Sequence, residues 1–201
     1  MSVRPRKSDP DTWPAPIALA TPRLGDFCCV PVSGALGIGI TLGQWLDGDR
    51  WQFYDHTEIY VGEPDDAGPH GYTVATYPNG HGKRALPCPP AELPGSLWSS
   101  GLLDLSGTQR VDIVDYALSH QDTGYSFLDY GALVLHGLRF PFPHLRRYIE
   151  STHHQICSQF VDSAYQAAGI ELFSDRRWQG YVKPGDLAQL VQGWIAAVSA
   201  D

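Results

Sequence analysis

Positive charge is scarce in this chain: 14 Lys and Arg stand against 22 Asp and Glu, giving a formal net charge of −8 and a pI near 5.3. Affinity for a phosphate backbone comes largely from clustered basic side chains, so a nucleic-acid partner is disfavoured. The small basic groups that do occur, Arg4 with Arg6 and Lys7, Arg146 with Arg147, and Arg176 with Arg177, read as solvated surface charge. No uninterrupted apolar run approaches the ~20 residues that cross a bilayer. The basic N-terminus leads into Asp, Pro and Trp rather than the apolar core of a secretory signal, and a cytoplasmic location is the expectation. Cysteine is sparse as well: Cys28, Cys29, Cys88 and Cys157 show neither CxxC spacing nor the density of a disulfide scaffold, and no ligand set for zinc accompanies them. The glycine-bearing segment at 37–43, GIGITLG, matches neither the GxGxxG nor the GxxxxGK[ST] phosphate loop, and no lysine follows it.

What the chain does have is enough apolar material for a core. With 201 residues, 43% of them hydrophobic and 11% aromatic, it reads as one domain over 25–201, preceded by a poorly ordered N-terminal arm over 1–24. Gly25 and Asp26 open the apolar run FCCVPV, a short strand in which alternation sends one of Cys28 and Cys29 inward and the other outward, both as structural thiols. Strand composition returns at 51–54, at 56–62 (HTEIYVG) and at 72–77 (YTVATY), separated by turn-rich EPDDAGPHG and closed by Pro78, Asn79 and Gly80. Further extended pieces are expected around 84–88 and 97–105, so the first half reads as an antiparallel meander or small barrel.

From Ser106 the period turns helical. Ser106 and Gln109 have capping-box spacing, with Val111, Val114 and Leu118 on one face. A second helical stretch covers about 127–138 before Pro141 and Pro143. In a third, Cys157, Phe160, Val161, Ala164 and Ala168 recur at i, i+3, i+4, i+7, i+11, and Gly169 supplies the stop, which places Cys157 in the first turn of a buried helix. A last helix is expected over 187–198, with Asp186 as N-cap. Strands followed by helices make an α+β domain.

A thiol at a helix N-terminus meets unpaired backbone N–H groups and the positive end of the helix dipole, which favour thiolate and could also stabilise an oxyanion. Cys157 is therefore the candidate nucleophile, expected to have a depressed pKa beside a protonated imidazole. Of the eight histidines, His56 starts a well-formed strand, where a rigid backbone can hold an imidazole against a helix-borne thiol. His70 and His81 lie in turn-like stretches, and His153 and His154 read as cap or surface residues.

The segments GDFCCV, DHTEIYVG, TGYSFLDYGAL, ICSQFVDSAYQAAGI and VKPGDLAQL, in this order, resemble the permuted NlpC-type papain-like cysteine hydrolases, the branch related to lecithin:retinol acyltransferase. The resemblance covers about 25–190. It implies a circularly permuted papain-like fold, histidine first, and hydrolysis of an amide or related acyl bond through a cysteine acyl-enzyme without cofactor or metal. The substrates implied are peptides, peptidoglycan stem peptides or acyl lipids; a catalytically silent module and an acyltransferase are the alternatives. Residue by residue, the pattern assigns Cys157 as nucleophile, His56 as base, Thr76 at the apparent place of the imidazole-orienting residue, and Tyr125 and Ser158 as substrate-binding residues. Tyr125 could equally be a packed aromatic. Where the family often carries a carboxylate or amide, Thr76 offers only a hydroxyl; Glu58, two residues beyond His56 on the same strand face, could substitute, although a surface position is its simpler expectation.

Overall fold

A computed structural model describes residues 13–32, 53–62, 70–77, 80–120, 156–175 and 182–200. Outside them lie residues 1–12 of the arm, the GIGITLG segment, the 51–52 start of an expected strand, Pro78 and Asn79, Tyr125, the expected helix at 127–138, and His136, His144, His153 and His154.

The chain is α+β. Five antiparallel strands, β1 (Phe27–Val30), β2 (His56–Gly62), β3 (Tyr72–Tyr77), β4 (Gly80–Ala85) and β5 (Leu97–Trp98), form one sheet in the order β4-β3-β2-β1-β5. This is a meander through β1 to β4 with β5 added beside β1; of the two forms expected from sequence, the described strands make the meander. Three described helices follow: α1 (Gly107–Ser119), α2 (Cys157–Ala167) and α3 (Pro184–Val198). None is long and apolar enough to cross a membrane.

Both faces of the sheet are covered. On one, Phe27, Cys29, Ile59, Val74 and Leu97 pack against Ile113, Phe160, Val161, Ala164, Leu187 and Val191 of the helices. On the other, Cys28, Val30, Tyr60 and Trp98 pack with Leu86 and Leu93. The two cysteines do point to opposite faces, but neither is outward in the sense of exposed, because a second small core closes over Cys28. The expected loose arm is also corrected for its described part. Ile17 bridges Leu97 in parallel, donating to the Ser96 carbonyl (2.8 Å) and accepting from the Trp98 amide (2.9 Å), so the segment lines the sheet beyond β5. β5 itself is shorter than expected because the chain turns at once, the Leu102 amide reaching the Ser99 carbonyl at 3.1 Å.

The capping box of α1 forms as its sequence implies: Gln109 N donates to Ser106 Oγ (3.2 Å), and Ser106 N to Gln109 Oε1 (3.0 Å). Its buried face is Ile113 and Ala117, not the Val111 stripe; Val111 is 54% exposed. Helix α3 begins earlier than expected, with Pro184 at its first position, which suits a residue lacking an N–H. Asp186 consequently sits three residues into the cap and accepts from the Lys183 amide at 2.9 Å.

Helix α2 crosses the sheet and is tied to the start of β1, where Gly25 turns the chain at φ +79, a conformation that an L side chain resists. Tyr165 Oη donates to the Gly25 carbonyl (2.8 Å), and its ring meets Phe27 edge-on at 5.5 Å. Phe160, fully buried one turn into α2, packs against Tyr116 of α1 with ring centroids 6.0 Å apart. Phe160→Ala is expected to cost about 3–5 kcal/mol, the usual range for emptying a buried aromatic site. Denaturant unfolding would measure it, and a loss below about 1 kcal/mol would mean that the helix does not anchor this core.

Candidate active site

Cys157 is the first residue of α2 and is 2% exposed. The helix starts there because Ile156 is extended (φ −83, ψ 162) and its amide is taken by Gln159 Oε1 at 3.0 Å, half of a capping box. The thiol faces β2: the Thr57 amide and hydroxyl and the Ser158 amide are the donors turned to the sulfur. Thr57 is fully buried, and its hydroxyl makes no other well-formed hydrogen bond among the described residues.

Burial is the largest influence on that thiol. It pushes Cys157 up to about 11; the Thr57 and Ser158 donors pull it down less, and the Glu58 carboxylate adds to the rise. The expected depressed pKa is overturned, because stripping water from a thiolate costs more here than the helix-end donors return. Cys28 and Cys29 are likewise held well above the ordinary thiol value, chiefly by burial.

His56, the first residue of β2, pairs with Val30 across β1, and Glu58 pairs with Cys28. Period-two alternation thus sets His56, Glu58 and Tyr60 on the Cys28 side of the sheet, and Thr57 and Ile59 on the helix side. The thiol lies against Thr57 on the helix side of β2, so Cys157 and the His56 imidazole, which the sequence leads one to expect face to face, are set on opposite sides of the strand. Burial is also the largest influence on the imidazole, lowering it to about 4; Glu58 opposes this and Arg84 reinforces it. An imidazolium beside Cys157 was expected, but at neutral pH the residue is a neutral base.

Glu58 is not the surface residue its sequence suggests. It is 1% exposed. Its Oε2 accepts from Thr73 Oγ1 (2.6 Å) and Arg84 Nη2 (2.9 Å), its Oε1 lies 2.8 Å from the same Arg84 nitrogen, and His56 Nε2 is 3.6 Å from Oε1. Burial alone would raise this carboxyl, but Arg84, His56 and the hydrogen bonds from Thr73 and Arg84 outweigh it and hold Glu58 below the usual carboxylate range. Nothing in the sequence marks Arg84 and Thr73 as partners of Glu58, because their proximity depends on strand register, Thr73 standing opposite Arg84 on β4.

Thr76 is buried on β3 opposite His81 of β4. Alternation groups it with Val74, which packs toward the helices, and away from Thr73, which reaches Glu58. The structure therefore brings Glu58, rather than Thr76, beside His56. Ser158 is corrected as a substrate-binding side chain: it is fully buried and donates to the Val182 carbonyl at 2.6 Å, pinning α2 to the segment entering α3. Its backbone amide, not its hydroxyl, serves the thiol. Ser158→Ala is accordingly expected to lower stability by about 1–3 kcal/mol, the cost of an orphaned buried carbonyl, while leaving the reactivity of Cys157 unchanged. Chemical unfolding and thiol-labelling rates read the two separately.

Among the described residues, no group of three or more His, Cys, Asp or Glu could hold a metal ion. The chain matches no protein-family model and no curated protein sequence.

Proposed function

We propose that the chain is a cysteine hydrolase of the permuted NlpC-type papain-like class, cleaving an amide or related acyl bond through an acyl-enzyme on Cys157. The observation that carries this reading is the thiol at the first position of a buried helix, met by backbone and hydroxyl donors, against the residue that follows a strand-start histidine. For turnover the His56 imidazole, which alternation sets on the other side of β2 from the thiol, has to reach around the start of the strand to take the thiol proton as sulfur bonds to the acyl carbon, and the proton then passes to the departing amine. Water, deprotonated by the same imidazole, then releases the acid and regenerates the thiol. Because both groups rest neutral, proton transfer accompanies attack instead of preceding it. The Ser158 amide and the Thr57 donors, turned to the sulfur, support the reading because such donors stabilise negative charge that develops during attack.

Peptides, peptidoglycan stem peptides and acyl lipids are the candidate substrates. Incubating the chain with peptidoglycan fragments and N-acyl lipids, with mass spectrometry of both products and protein, tests the proposal. An acyl adduct on Cys157 that turns over supports it; no adduct and no product from either class counts against it. Added amines distinguish hydrolysis from acyl transfer to a non-water acceptor. The raised thiol and lowered imidazole give a second reading some support, a papain-like module that binds without turnover, for which ligand retention without any adduct is the expected result.

A further inference from the structure

We propose that Glu58 is the positioning residue for His56, and that Arg84 is the anchor that keeps the Glu58 carboxylate in place beneath the imidazole. The inference rests on the reading of His56 as the base, and goes beyond it by assigning the orienting task to a cluster built from β2, β3 and β4.

The geometry is specific. One Arg84 nitrogen bridges both carboxylate oxygens at 2.8 and 2.9 Å, while Thr73 fixes Oε2 from the neighbouring strand at 2.6 Å. With Oε2 held twice, Oε1 is the oxygen that faces His56 Nε2, 3.6 Å away. That separation is an ion-pair distance and longer than a hydrogen bond, so the carboxylate acts through its charge at rest and is poised to close on an imidazolium once His56 gains the thiol proton. An ionised carboxylate at Nε2 also favours a proton there, and so the tautomer in which Nδ1 is unprotonated. Glu58 is buried, whereas the Arg84 side chain is 43% exposed. The anchor therefore spans from solvent to the site, and its loss leaves His56 and Thr73 to hold the buried carboxylate.

The groups that bear on His56 are few among the described residues. From β2 comes Glu58 and from β4 Arg84, while the uncharged Thr73 of β3 and the neutral Cys28 thiol of β1 meet Glu58 rather than the imidazole. Asp55 precedes His56, and its Oδ2 faces the Val32 amide at 3.4 Å.

Imidazole NMR titration of the full chain tests the proposal without any substrate, the His56 signal being identified by its loss in His56→Gln. From a wild-type midpoint near 4, Arg84→Gln is expected to raise the midpoint by about one to two pH units, since a nearby cation is removed while Glu58 stays. Arg84→Lys should keep it close to wild type. Adding Glu58→Gln to Arg84→Gln should bring the midpoint back down by about one unit or more. A packing role alone would not produce shifts of opposite sign.

If the double variant titrates like Arg84→Gln, Glu58 does not act on His56 and the proposal is overturned; an unchanged midpoint in Arg84→Gln overturns the part given to Arg84. Should the double variant fail to fold, the comparison of Glu58→Gln with wild type decides: its midpoint must fall. These outcomes are independent of the proposed activity. A chain whose His56 responds as stated but whose Cys157 never acquires an acyl group would refute the hydrolase reading and leave the cluster standing.

Discussion

On an amide or acyl substrate that the wild-type chain turns over, Cys157→Ala is expected to abolish the covalent intermediate, and His56→Ala to lower kcat/KM by about 10²- to 10⁴-fold, the usual contribution of a general base. Thr76→Ala should cost less than about tenfold, because at most one neutral hydrogen bond of about 1 kcal/mol is lost. Glu58→Gln should fall between them: it keeps the shape beneath His56 but removes the charge that stabilises the imidazolium formed during attack. Steady-state kinetics of the four variants, with circular dichroism to verify folding, measure this order. If Thr76→Ala proves as damaging as His56→Ala, the orienting task belongs to β3. If all four match wild type, the chemistry lies elsewhere.

Alkylation of Cys157 should be slow at neutral pH and should climb steeply with alkalinity. With the thiol pushed up to about 11, about one molecule in 10⁴ carries a thiolate at pH 7. An unperturbed cysteine, with a pKa of about 8.5, would have a few per cent. The iodoacetamide rate at Cys157, followed by peptide mass spectrometry, is therefore expected to lie roughly 10²-fold or more below that of a free thiol at pH 7 and to keep rising beyond pH 9. A midpoint below pH 8 would show that the helix-end donors outweigh burial and that a thiolate–imidazolium pair is already formed at rest. The sign for His56 is complementary. Its pKa is lowered to about 4, so the base is unprotonated across the neutral range, and activity that depends on it should be lost only as pH falls through about 4. An acid limb near 6.5 would indicate an ordinary, solvated imidazole.

The order of the two candidate residues, histidine on an early strand and cysteine on a late helix, was legible because each is a local signal. Period-two alternation begins at His56, and the 3.6-residue period begins at Cys157 with Gly169 as its stop; both elements stand where those patterns put them. The capping box of α1 was equally readable, since its two hydrogen bonds span three residues.

Where the sequence misled, a property depended on what lies across from a residue. The Val111 stripe and the Ile113–Ala117 stripe are both helical patterns, and only the sheet against which α1 rests selects the second. A glutamate on a strand reads as solvent-facing until a second core closes over that face and an arginine and a threonine arrive from two other strands to hold it. The charge states of Cys157 and His56 are of the same kind. A helix terminus can be recognised from sequence, but the opposing cost of desolvation depends on how completely the folded chain excludes water, and here that cost is the larger. The sequence by itself determined the elements that carry His56 and Cys157; packing between elements distant in the chain decided their protonation and their partners, because burial and register are properties of the assembled sheet and helices.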